Sequence, residues 1–195
     1  MDGTSEAGLL RRAGGGDEAA FLLLYERHRA SVFRFAYRLL GSVPLAEDIT
    51  QECFLALVRR PDGFKEERAS LRTYLCGAAR NLAYKHLRKL GVEVAVEELP
   101  EEQDRDRPRP DALQQLLDEE VSETVRRAVA ALPPLQREAI VLFEYEEMSL
   151  AETAAVCGTD VGTVKARLHR ARERLRRDLS PWLRENGGIN SVLGA

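Results

Sequence analysis

Cysteine is scarce. Cys53, Cys76 and Cys157 are the only three in 195 residues, an odd number with no CxxC pair. His28, His86 and His169 do not cluster with them along the chain. This argues against a disulfide framework or a structural zinc site, and leaves small buried thiols in a reducing cytoplasm. No metal and no cofactor are expected. The N-terminus, MDGTSEAGLL, lacks the basic start and long apolar run of a signal peptide. No apolar run approaches membrane-spanning length, so the expectation is a cytoplasmic protein without membrane insertion. Period-two strands and internal repeats are missing, as are a phosphate loop, a nucleophile motif and a metal constellation, which argues against an enzyme. An excess of positive charge is missing too. The net charge is -3, so total charge alone predicts no nucleic-acid partner.

What is present is segregated charge on helical periodicity. From Arg68 to Leu90 there are six Lys/Arg and no acidic residue; from Val92 to Glu120 eleven acidic residues face three basic ones. From Thr159 to Leu179 seven Lys/Arg stand against three Asp/Glu. Two basic blocks flank an acidic one, and segregation matters more for partners than the total. Residues 1–16 are small and Gly-rich and read as a flexible N-terminus. From Asp17 to Leu40 apolar residues recur at helical spacing, and Gly41 stops the run. Pro44 opens a second helix, with Ile49, Cys53, Leu57 and Val58 on one face, and Pro61-Asp62-Gly63 breaks it. Ser70 can cap a third helix running through Leu71, Leu75, Ala79 and Leu82.

Residues 92–112 lose the periodicity and hold Pro100, Pro108 and Pro110, the composition of an extended acidic linker. Helices then follow over about 114–131, 134–146, 150–157 and 161–179, with Leu132-Pro133-Pro134 as a break and restart. The predicted fold is all-α. It comprises a first domain at 17–91, a flexible acidic linker at 92–112, a second domain at 113–182 and a flexible tail at 183–195.

The stretch SLAETAAVCGTDVGTVKARLHRARERLRRDL (149–179) carries the most specific pattern. Ser149 and Glu152 form a capping box. Gly158 ends that short helix, and another starts near Val161. A small residue at Ala154, a turn glycine and a branched anchor at Val164 are what a helix-turn-helix needs. On the second helix Val164, Leu168, Ala171, Leu175 and Leu179 share a narrow apolar face. Ala166, His169, Arg170, Glu173 and Arg177 point the other way, with Lys165 and Arg167 on the flanks. Such an exposed face suits a major groove, with the flanking cations on phosphates. An amphipathic helix with a merely solvated basic face has the same local pattern.

VGTVKARLHRARERLR (161–176) resembles the recognition helix of sigma factors of bacterial RNA polymerase, in the sigma-70 family. The resemblance is strongest to the small extracytoplasmic-function group. It extends in order through DEAAFLLLYERHRASVFRFAYRLLG (17–41), LAEDITQECFLALVRR (45–60), SLRTYLCGAARNLAYKHLRK (70–89) and LPPLQREAIVLFEYEEMSLAETAAVCG (132–158). It implies a region 2-like domain, a region 4-like domain with the helix-turn-helix, and a linker that threads basic polymerase channels. A soluble tether explains the linker's composition equally well.

The resemblance also implies roles. Asp48, Gln51 and Glu52 match the D-x-x-Q-E that docks on the clamp coiled coil of the polymerase beta-prime subunit. Phe64, Ser70, Arg72, Thr73, Asn81, Lys85 and Arg88 fall where the family grips the non-template strand of the minus-ten element. Thr163, Lys165, Arg167, His169 and Arg170 fall where it reads the minus-thirty-five element. The implied partners are core RNA polymerase (beta-prime clamp and beta flap), promoter DNA and an anti-sigma factor. Tyr25, Phe33, Phe35 and Tyr37 read as core rather than base-stackers, and Arg80 as a cation along the strand backbone or a satisfied polar residue at a helix interface. Tyr74 stands where the family usually has Trp, and Lys85 where it often has Asp. Gly77 and Ala78 replace the melting aromatic pair of housekeeping relatives, which implies melting by capture of flipped bases and a strict promoter requirement. The implied function is promoter recognition, melting and initiation. The other readings are a mimic that titrates an anti-sigma factor and a stand-alone repressor.

Overall fold

The computed structural model describes residues 5–91 and 123–185, and every regular element among them is helical. The chain divides into two compact units, each taken by itself. The first holds α1 (Glu6–Gly14), α2 (Glu18–Leu40), α3 (Val43–Arg59), a 3₁₀ turn at Pro61–Gly63 and α4 (Leu71–Lys89). Side chains cap three of these helices. Ser5 accepts from the Gly8 amide, Asp17 from Ala20 and Ser70 from Thr73, at 3.1, 3.0 and 3.2 Å. Each cap satisfies an amide that the first helical turn leaves without an intrahelical acceptor. Gly41 ends α2 with φ +70°, a left-handed conformation that glycine adopts without a Cβ penalty. Leu24, Phe35 and Leu39 of α2 are buried with Phe54 and Leu57 of α3 and Leu71 and Leu75 of α4.

Helix α1 departs from the flexible N-terminus that composition suggests. Nine residues are too few to hold a helix in water by propensity. Tertiary burial stabilises it: Leu9, Leu10 and Ala13 are buried, and Glu6 lies 2.6 Å from His28 Nε2 on α2. Three buried residues among glycines make too short a periodic signal to stand out in sequence.

The second unit is built on α5 (Glu123–Ala130), α6 (Pro134–Ile140) and α8 (Val161–Glu185), with α7 (Leu150–Cys157) preceding α8 in the chain. The helix expected over 114–131 is described from Glu123 onward. The expected linker at 92–112 and most of the tail lie outside the described residues. The helix expected over 134–146 is α-helical only to Ile140; Val141–Tyr145 forms a π-helical turn. Helix α8 runs past the expected end at Leu179 and carries Pro181 inside it.

Candidate functional site

On α3, Ile49, Cys53 and Leu57 recur at spacing four and turn inward. Asp48, Gln51 and Glu52 are thereby exposed on the other side. Burial, with smaller contributions from Cys76 and Glu52, pushes the Cys53 thiol up to about 12. All three cysteines are buried, and none is in a disulfide.

Helix α4 sorts the predicted strand-gripping residues into two sets. Asn81, Lys85 and Arg88 are exposed at spacings of four and three, one stripe on one face. Ser70 is exposed, but its hydroxyl caps the helix and lies 2.9 Å from Thr73 Oγ1. Thr73 and Phe64, which the resemblance places at the minus-ten strand, are buried. Phe64 packs edge-on to Tyr74, centroids 5.7 Å apart, because the 3₁₀ turn folds it back onto α4. Tyr74 therefore keeps a packing role. Arg72 Nε donates to Ser31 Oγ of α2 at 3.0 Å, and the Arg80 guanidinium lies 4.7 Å from the Tyr84 ring centroid. Phe35 is fully buried, Tyr25 packs edge-on to Phe54 at 4.9 Å, and Phe33 stacks on Tyr37 at 6.2 Å.

Asp48 and Glu52 of α3 and Lys85 of α4 share one cleft of about 200 Å³. Leu45, Asp48, Ile49 and Glu52 line it from α3; Leu82, Lys85, His86 and Lys89 line it from α4. Each helix contributes residues at i, i+3, i+4 and i+7, so the cleft has an apolar floor, an acidic wall and a basic wall. Asp48 and Glu52 lie over thirty residues from Lys85 in the chain, so no local pattern joins the two walls.

The caps and the turn glycine that the helix-turn-helix motif predicts are present along α7 and α8. The Ser149 amide donates to Glu152 Oε2 at 3.0 Å, and the Glu152 amide donates to Ser149 Oγ at 3.2 Å. Gly158 has φ +65°. Asp160 then caps α8, accepting from the Thr163 amide at 2.8 Å and the Thr163 hydroxyl at 2.7 Å. These bonds hold the Asp160 carboxyl below its ordinary range, the hydroxyl contributing most. Thr163, expected at DNA, thus spends its hydroxyl on the cap. Val164, Leu168, Ala171, Leu175 and Leu179 are all buried. His169 is exposed, and Lys165 and Arg170 are half-buried.

Arg167 differs from its expected place on an open flank. It is 9% exposed, and its Nη1 donates to Oε1 of the fully buried Glu138 at 3.0 Å. Arg172 pairs with Glu144 at 2.5 Å and lies over the Phe143 ring. Sequence reasoning missed both pairs. The signal was available: Glu138 and Glu144 bound the apolar run AIVLF, and a carboxylate buried beside such a run requires a cation. Among the described residues no group of three His, Cys, Asp or Glu could hold a metal ion, and no helix is long and apolar enough to cross a membrane.

Residues 24–92 match the family model for sigma-70 region 2, and residues 122–175 match that for sigma-70 region 4. The chain is 34% identical over 183 residues to the ECF RNA polymerase sigma factor SigW of Bacillus subtilis, covering 84% of this chain and 91% of that one. It is also 34% identical over 167 residues to the ECF RNA polymerase sigma factor SigE of Mycolicibacterium smegmatis, covering 83% of this chain but only 63% of the relative. Among solved structures it is similar to the sigma factor RpoE in complex with the anti-sigma factor NepR from Bartonella quintana. That match has 27% identity and a TM-score of 0.62, over 82% of this chain and 96% of that one. CnrH, solved with the cytosolic domain of CnrY, is 26% identical with a TM-score of 0.64, over 90% and 97% of the two chains.

Proposed function

The chain belongs to the extracytoplasmic-function group of the sigma-70 family, whose members are non-catalytic transcription factors, and from that premise we propose that it binds core RNA polymerase and directs promoter recognition and melting. The observation that carries this reading is α8: its apolar face is wholly buried, while His169 and its half-buried neighbours Lys165 and Arg170 lie away from that face, after a capped α7 and a left-handed glycine. A solvated surface helix needs none of that preceding turn; a helix presented to a major groove does. In this reading α8 meets the minus-thirty-five element, with Arg170 and His169 on base edges and Lys165 on phosphate. Asn81, Lys85 and Arg88 track the backbone of the opened minus-ten strand. Phe64, Thr73 and Arg167 support these surfaces from inside. Asp48, Gln51 and Glu52 present acceptors to a basic surface of the polymerase clamp. Similarity to a sigma factor solved with an anti-sigma factor supports a regulator of that kind as a further partner.

In vitro transcription tests the proposal, with purified core polymerase, this chain and a pool of genomic fragments, reading RNA 5′ ends by sequencing. Discrete start sites absent with core alone are expected. No transcripts above core alone, together with no association with core, would sink the reading and leave a mimic.

A further inference from the structure

Helix α8 is gripped on both flanks by buried charge. Arg167 and Arg172 are five residues apart, about 140° around the helix axis. On that wheel they bracket the buried stripe of Val164, Leu168, Ala171 and Leu175, one on each side. Their partners come from the preceding helical segment: Glu138 from α6 and Glu144 from the π-helical turn. Both carboxylates are buried, so neither is presented to a ligand of the outer face.

Apolar packing is non-directional, and a stripe of aliphatic side chains tolerates small rotations. Charge-assisted hydrogen bonds are short and directional. With one on each flank, a rotation of α8 in either sense lengthens one of them. With side chains reaching about 5–6 Å from the helix axis, a 15° rotation moves an outer side chain by about 1.4 Å. A binding constellation needs placement to within about 0.5 Å. Replacing a buried ion pair by apolar residues of similar volume is often neutral or stabilising, so stability alone does not account for two such pairs on one helix.

We propose that Glu138 and Glu144 are specificity-positioning residues: through Arg167 and Arg172 they set the rotation of α8 and so determine which bases His169 and Arg170 can reach. The proposal rests on the reading of α8 as the minus-thirty-five reader, and adds residues that set its specificity without touching DNA.

The test uses holoenzyme assembled from the full chain. Two double variants remove each link while keeping the volume apolar: Glu138→Leu with Arg167→Met, and Glu144→Leu with Arg172→Met. Glu138→Gln and Glu144→Gln accompany them, because they change only buried carboxylates and remove no exposed group. Thermal melting and association with core are measured beside transcription from promoters substituted singly across the minus-thirty-five element. A double variant that melts within a few degrees of the parent should associate with core normally. Its discrimination between the best and the substituted elements should fall about tenfold, the scale of one lost base contact. The Gln variants should shift the same positions. A variant with parental melting that ranks every promoter as the parent does overturns the assignment. A parent that itself shows no minus-thirty-five preference overturns the reading of α8 on which the assignment rests.

Discussion

Asp160 does for the basic helix what Ser149 does for the helix before it: it supplies an acceptor to the amide three residues on. Its carboxylate is held below the ordinary range by bonds that exist only when folded. The folded-state pKa is depressed, so its stabilisation is fully present above about pH 4, the ordinary Asp value, and is lost as pH falls through the folded value. Asp160→Asn should therefore lower the melting temperature near neutrality, with the gap to the parent closing as the pH falls below 4. A gap of constant size across that titration would show that the charge is not what the cap uses. Cys53 supports a second expectation at this scale. Its thiol, pushed up to about 12 by burial, carries almost no thiolate at pH 8. Alkylation at pH 8 should leave it unmodified in the folded protein and modify it fully in denaturant, as read by mass spectrometry. Rapid labelling of the native thiol would contradict its burial.

Among the elements, α1 depends most on its neighbours. Leu10 is 2% exposed and is one of the chain's largest fully enclosed side chains. Leu10→Ala should cost about 3 kcal/mol, from lost burial and the cavity left behind. Denaturant unfolding followed by circular dichroism gives that figure; a cost under about 0.5 kcal/mol, the scale of surface substitutions, would mean that α1 frays away from α2 in solution. The π-helical turn is the other element whose form tertiary context sets. A single wide turn in place of α-helix re-aims the residues it carries, and these include Glu144.

At the scale of the whole molecule, segregated charge matters more than net charge. The chain is acidic in sum, and the proposed polymerase contacts and the proposed DNA contacts carry opposite signs. They should therefore fail separately. Charge reversal of Asp48 and Glu52 should weaken association with core polymerase, measured by titration, while the helical fold persists. Arg170→Ala should leave core association intact and relax preference at one minus-thirty-five position by about 1–3 kcal/mol. Lys165→Ala should weaken all promoters alike and lower the salt dependence by about one unit. If the Asp48 and Glu52 reversal leaves affinity for core unchanged, the acidic edge is not the docking surface. If Arg170→Ala changes neither strength nor preference, α8 does not read DNA in the way placed here.

The sequence by itself determined the helical class, the capping box at Ser149 and Glu152, the turn at Gly158 and the buried stripe of α8. These are local, set by spacing along a single helix and by the chemistry of one cap or one glycine. Exposure of Asp48, Gln51 and Glu52 was equally legible, because Ile49, Cys53 and Leu57 mark the opposite face. What only the tertiary structure decided depends on which groups meet across helices. A basic residue on a helix flank reads as a phosphate contact until a carboxylate such as Glu138 is found beside it. Phe64 and Thr73 fall at strand-gripping positions of the resemblance, yet they are buried beside the 3₁₀ turn and the Ser70 cap, and α1 reads as loose until α2 offers a surface for Leu9 and Leu10. An arginine on a basic helix has the same local pattern whether it faces DNA or a buried acid; only packing tells them apart, since a buried carboxylate must be paired and an exposed one need not be.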